Sequence, residues 1–273
     1  MAGLDEEAQK ESMRESMKAM VGLDFNDAPA RIATLGIRAA EKLYPGVDPF
    51  KKLKEETTEE ALGLYRAIKP EATELMDKMD PVERIRYCAK LAAAGNIIDF
   101  GISSDFDIEA TLKETMAGDL AIDSSEELYK AIAEGETFLL VSDNAGEIVF
   151  DRFLLDEVLK LGKQVYVSVK SGPVLNDAER VDAEAAGITD PIKIIETGSA
   201  SLGVIYQECH REFMEIFKDA DVVLSKGQAN YETLDDAPRD VFFILRAKCP
   251  VLARPIGVAT GSSVLIHYPG PEA

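Results

Sequence analysis

Apolar positions recur at three- and four-residue spacing early in the chain, at Ile32, Leu35, Ile37, Ala40 and Leu43, until Tyr44-Pro45-Gly46 stops the run. The same periodicity predicts a second helix over 55–68, with Pro70 opening the next. A third starts near Pro81, carries Ile85, Cys88, Leu91 and Ala92 on one face, and ends near Gly95. The charged first twenty residues read as a surface helix.

From Thr137 the texture changes to short apolar runs alternating with helical segments. The runs are 138–141, 165–169, 192–195, 222–224 and 241–245, and amphipathic stretches at 148–161, 178–186 and 204–217 lie among them. Strands alternating with helices predict βαβ units and a largely parallel sheet. Ser124, with Glu127 three residues on, reads as a capping box. Residues 1–120 form a helical region and 121–273 an α/β core. No flexible linker separates them, and one compact unit is compatible with the pattern.

Composition narrows the function classes. With 46% hydrophobic and 29% charged residues, the 273-residue chain can bury a core. The net charge of −20 disfavours nucleic acid and anionic membrane as partners, and no stretch of about 18 apolar residues offers a membrane span. The N-terminus lacks the apolar region of a signal peptide. Cys88, Cys209 and Cys249 are widely spaced without a CxxC pair, which points to buried thiols in a reducing compartment. The expected location is the cytoplasm. His210 and His267 are the only histidines, so a Cys/His zinc site has no spacing to build on. The GxSxG, HExxH and GxxxxGK[ST] motifs are absent, as is a GxGxxG after the first strand.

In open α/β sheets, ligands bind beyond the carboxyl ends of the strands. Those ends carry Ser142 to Glu147, Ser171 to Asp177, Glu196 to Ser199, and Ser225 to Tyr231. Asp143, Asn144 and Asp177 supply two carboxylates and an amide oxygen, a set suited to a hard divalent cation. Each residue also suits a turn or the cap of the helix that follows. Lys226-Gly227-Gln228 and Arg246-Ala247-Lys248 bring positive charge, and Gly227 would let backbone N–H groups approach a phosphate. Glu147 and Asp151 could orient water, or simply provide an acidic first turn.

Five segments in order resemble the metal-dependent damage-control phosphatase family, also known as domain of unknown function 89, in its prokaryotic branch. They are Gly95 to Gly101, Asp143 to Glu147 with Phe150-Asp151, Asn176-Asp177, Lys226 to Tyr231, and Arg246 to Lys248. The resemblance implies a three-layer α/β/α fold with a largely parallel, Rossmann-like sheet and a helical N-terminal region. It implies that Asp143, Asn144 and Asp177 hold Mg²⁺, Mn²⁺, Ni²⁺ or Co²⁺. Lys248 would contact phosphate, with Asp143, Asp177 and Lys248 the catalytic set. Substrate would lie against Lys226, Gly227, Gln228, Ala229, Asn230 and Tyr231, with Glu147, Asn96 and Asp99 nearby. The implied activity is metal-dependent hydrolysis of small phosphorylated metabolites such as sugar phosphates. The CxxC pair common near the N-terminus in that branch is missing here. Two other readings keep the same fold: an S-adenosylmethionine-dependent methyltransferase, and a non-catalytic phosphometabolite-binding protein. A haloacid-dehalogenase-type phosphatase lacks its DxDx[TV] motif after any strand.

Overall fold

A computed structural model describes residues 5–21, 23, 27–95, 116 and 118–271. Four helices come first: α1 (Glu6–Met20), α2 (Pro29–Glu41), α3 (Lys51–Met76) and α4 (Pro81–Gly95). There follow α5 (Ser125–Glu134), β1 (Thr137–Val141), α6 (Ile148–Lys160), β2 (Gln164–Val169), α7 (Arg180–Ala185) and β3 (Lys193–Glu196). The chain ends with α8 (Arg211–Asp219), β4 (Val222–Lys226), α9 (Gln228–Leu234), β5 (Val241–Arg246), α10 (Pro250–Ile256) and β6 (Ser263–Tyr268).

The sheet order is β3-β2-β1-β4-β5-β6, parallel throughout except for antiparallel β6. Strand alternation sends side chains into two separate cores. Phe138 and Leu140 of β1, Val222 and Leu224 of β4, and Phe242 and Ile244 of β5 pack with α3, α4 and α6. Leu139, Val141, Val223, Phe243 and Leu245 pack on the other face with α8, α9 and α10. Both faces are therefore covered, as near-continuous apolar strands require. The first core joins the helical region to the sheet, running from Ala61 and Tyr65 through Cys88 to Leu265.

Several details depart from the sequence pattern. Residues 51–76 form one helix that continues through Pro70. A proline inside a helix removes one backbone donor. Here Tyr65 on one side of it and Ala72 and Met76 on the other are anchored in the same core, so the helix is held across the gap. In α2 the buried positions are Ala30, Thr34 and Gly36, while Leu35 is 40% exposed. Ser124 makes no side-chain cap to α5. Asp123 takes that part, accepting from the Ser125 N–H at 3.0 Å and from its hydroxyl. The stretch expected to be helical over 204–217 is a short 3₁₀ turn at Tyr206–Glu208 followed by α8. Glu208 there is held by Arg38, Ser199 and Ser201, which fixes the turn outside the helix. The antiparallel strand β6 was not foreseen.

Polar contacts bind α2 to the loops at the carboxyl edge of the sheet. Arg38 pairs with Glu208 and donates to Ser201. Leu202 N–H donates to the Thr34 hydroxyl at 3.0 Å, and Ala30 N–H to Glu232 of α9 at 3.0 Å.

Candidate functional site

From β1 the chain moves outward to β2 and β3, then crosses back to β4 on the other side of β1. In open α/β sheets such a reversal marks where ligands bind, which here is at the carboxyl ends of β1 and β4. The strand ends are level, with Val141 opposite both Ser168 and Ser225. Asn230 of α9 ties two of them together, its amide donating to the Ser142 and Lys226 carbonyls at 2.9 and 2.8 Å.

Just beyond β1, the backbone zips onto the loop after β2. Ala178 N–H donates to the Asp143 carbonyl at 2.8 Å, and Ala145 N–H to the Asn176 carbonyl at 3.0 Å. Asn144 and Asp177 thus face each other in an antiparallel bridge. Main-chain pairing brings the adjacent Asp143 and Asn144 to the distant Asp177, and all three side chains are buried. The Asn144 amide nitrogen donates to Asp143 Oδ2 at 3.1 Å and approaches Glu147 Oε2 at 3.4 Å.

None of these side chains caps a helix. The cap position of α6 is Glu147, without a side-chain bond, and α7 is capped by Glu179 in a reciprocal box with Asp182. Asp177 Oδ2 is buried with no hydrogen-bond donor among the described residues, and Lys170 Nζ stands 3.4 Å from it. Burial pushes the Asp177 carboxyl up to about 6, against the pull of Lys170. A buried, donor-less carboxylate oxygen beside a second carboxylate and an amide fits a hard divalent cation. Among the described residues, no group of three or more His, Cys, Asp or Glu side chains is placed to hold a metal ion, and this site brings two carboxylates and an amide.

Lys226 was expected against substrate, and the structure turns it inward. Fully buried, its ammonium donates to Glu147 Oε1 at 2.5 Å, Asp151 Oδ1 at 2.6 Å and the Ala92 carbonyl of α4 at 3.1 Å. Burial lowers its pKa, but the two carboxylates outweigh that and hold it charged. Glu147 is therefore bridged between Lys226 and Asn144, one contact away from the Asp143–Asp177 pair. Two glycines let helices close on this cluster. A Cβ at Gly146 would meet Thr57 of α3 at 3.0 Å, and one at Gly95 would meet Phe150 of α6 at 3.1 Å.

Gly227 serves the site sterically. Its φ is 83° and its N–H is taken by the Ile244 carbonyl at 3.1 Å, so this amide is not one presented to a phosphate. Gln228 donates to Glu232 at 2.8 Å, and the Ala229 carbonyl accepts from Thr233 at 3.0 Å. Tyr231 is buried with its hydroxyl against that of Tyr268 at 2.6 Å, within the second core. Lys248 is exposed, just past β5 on the same carboxyl edge. Asn96 and Asp99 lie outside the described residues.

Sequence reasoning passed over Lys170. It directly follows the second apolar run, is buried, and donates to the Gly203 carbonyl at 2.6 Å. The strand-end rule that selected Asp143 could also have selected it.

No helix among the described residues is long and apolar enough to cross a membrane. The sequence profile of the damage-control phosphatase ARMT1-like domain matches residues 1–264. An uncharacterized protein of Methanocaldococcus jannaschii is 36% identical, over 96% of this chain and 88% of its own length. A damage-control phosphatase of Pyrococcus horikoshii is 34% identical, over 98% of this chain and 91% of its own. The crystal structure of a DUF89 family protein from P. horikoshii superposes with a TM-score of 0.86 at 33% identity, covering 98% of this chain and 92% of that one. With the family profile matched over residues 1–264 and relatives 34–36% identical over nearly its whole length, the chain belongs to the damage-control phosphatase ARMT1-like family.

Proposed function

We propose that this protein is a metal-dependent phosphomonoester hydrolase acting on small phosphorylated metabolites, sugar phosphates among them. The observation that carries the reading is the backbone pairing of Asn144 with Asp177, which brings Asp143, Asn144 and Asp177 together beyond the carboxyl ends of β1 and β2. Family membership supports it, since relatives are named damage-control phosphatases.

Asp143, Asn144 and Asp177 would hold a divalent cation, which when bound supplies Lewis-acid polarisation of a phosphoryl oxygen. Lys248 contributes a positive charge from the neighbouring strand end to offset that of the phosphate. Phosphoryl transfer depends chiefly on such positioning and charge stabilisation. Behind these groups, Lys226 and Lys170 restrain the carboxylates from within the protein.

The test is phosphate release from p-nitrophenyl phosphate and a panel of sugar phosphates, by metal-stripped protein with and without Mg²⁺, Mn²⁺, Co²⁺ or Ni²⁺. Release that requires metal and is lost in Asp143→Ala and Asp177→Ala is the expected result. No release by folded protein with any of the metals would overturn the reading and favour a non-catalytic phosphometabolite-binding protein.

A further inference from the structure

Between α1, α2, the segment after α2 and the loop after β2 lies a cavity of about 460 Å³. That is within the range of small-ligand pockets. Its wall is made mainly of Met20, Ile37, Tyr44, Val47, Phe50 and Leu175. Among the polar groups along it, Ser16 and Asp48 are committed elsewhere, and the Glu41 carboxyl, its pKa raised by burial, also lines it. The Ser16 hydroxyl donates to the Gly36 carbonyl at 2.7 Å. Asp48 pairs with Lys54 at 3.0 Å and accepts from the Phe50 N–H at 2.8 Å.

Two observations connect this cavity to the metal and phosphate crevice. Pro173 and Leu175 line it, and they belong to the same loop as Asn176 and Asp177. Two residues span at most about 7 Å of backbone, which bounds the distance between the Leu175 wall and the Asp177 backbone. Leu175 also has φ of 47°, the only non-glycine residue with positive φ among those described. A leucine in that conformation is strained, and such strain tends to accumulate at ligand sites.

We infer that this cavity receives the organic group of the phosphomonoester, and that the group is a compact apolar chain or ring. The inference rests on the proposed phosphatase site and carries its substrate range beyond sugar phosphates. A sugar would leave its hydroxyls facing Met20, Ile37 and Phe50 with few partners, whereas an alkyl or aryl group would gain from every carbon buried there.

Alkylphosphonates, which resemble phosphomonoesters but are not hydrolysed, allow the cavity to be tested by calorimetry with the full-length protein and Mg²⁺. Burial of each methylene strengthens binding about fourfold. Butylphosphonate should therefore bind at least about tenfold more tightly than methylphosphonate. Gly36 is the position at which to fill the cavity. A Cβ there is in ordinary contact with the α1 wall of the cavity, at 3.5 Å from Met20 Sδ and 3.7 Å from Ser16 Cβ, so Gly36→Leu crowds that wall without meeting backbone. In Gly36→Leu the butyl-to-methyl ratio should fall to within about twofold. Because the ratio is taken within one protein, a general weakening cancels. Gly36→Ala, a favourable change within a helix, should melt no lower than the parent and keep most of the gradient. Equal affinity for the two phosphonates in the parent, or an undiminished gradient in Gly36→Leu, overturns the inference. A gradient with no phosphate release from any ester would sink the phosphatase reading and leave the cavity standing. Release without a gradient does the reverse.

Discussion

The Asp143 carboxylate occupies the space in which a side chain at position 227 would begin: a Cβ on Gly227 would lie 2.0 Å from Asp143 Oδ2. Gly227 also has φ 83° and ψ 167°, a backbone conformation open almost only to glycine. Gly227→Ala should therefore displace Asp143 and lower kcat/KM for phosphate release by at least about a hundredfold. Stability should drop by about 1–3 kcal/mol in urea unfolding. Normal turnover in this variant would show that the position of Asp143 does not matter to the chemistry.

Removing the Lys226 ammonium strands Glu147 and Asp151 as buried carboxylates. Lys226→Met should cost about 3–5 kcal/mol at pH 8. The loss should shrink toward pH 5. Burial already raises the Asp151 carboxyl to about 6, and losing the counter-ion removes the pull that opposes this. The stability that its protonated form favours is complete below the unfolded value of about 4 and is lost as pH rises through the folded value. Combining Lys226→Met with Glu147→Gln and Asp151→Asn should recover most of the loss, as denaturant titrations at the two pH values would reveal.

Lys170 and Asp177 form a buried pair of the same kind, joined to the Gly203 carbonyl. In a stability cycle, Lys170→Met and Asp177→Asn should couple by about 1–3 kcal/mol. Additivity to within a few tenths of a kcal/mol would separate them energetically. It would leave Lys170 as a support for the Gly203 loop alone.

Acid should loosen the attachment of α2. Bonds from Arg38, with smaller help from Ser201 and Ser199, hold the Glu208 carboxyl down at about 2. A depressed folded pKa gives stability that is fully present above the unfolded value near 4.5 and is lost as pH falls toward 2. The pair is about one-third exposed, so its worth is discounted to about 1 kcal/mol. Glu208→Gln should remove that much of the acid dependence between pH 4.5 and 2, while the parent retains it.

The parts of this fold that were legible in the sequence are those built from local pattern. The strands β1 to β5 were apolar runs, and the buried face of α4 was readable from the spacing of Ile85, Cys88 and Leu91. Helices whose extent depends on tertiary contacts were less readable. Nothing near Pro70 signals that Tyr65 and Met76 share one core, and nothing near Glu208 signals Arg38, 170 residues away. The strand-end rule located Asp143, Asn144 and Asp177, because a parallel sheet brings its carboxyl ends to one side. It could not say which way a strand-end lysine turns. Lys226 and Lys248 look alike as residues following apolar runs. One is sealed beneath the site, and the other is exposed at its edge. The difference is made by Glu147, Asp151 and the end of α4, which the local sequence of β4 does not contain.

The antiparallel strand β6 also pairs beyond its own sheet neighbour. Ala121 N–H donates to the Ser263 carbonyl and Ser124 N–H to the Leu265 carbonyl, stitching the lead-in to α5 onto β6. In synthesis, β6 is the last of the six strands to leave the ribosome. Until it does, β5 presents an open row of backbone donors and acceptors, and the segment before α5 has nothing to dock against. The nascent chain thus carries an adhesive edge from the completion of β5 until β6 follows, and a pause or truncation shortly before Ser263 would leave a nearly complete sheet primed to capture a neighbour.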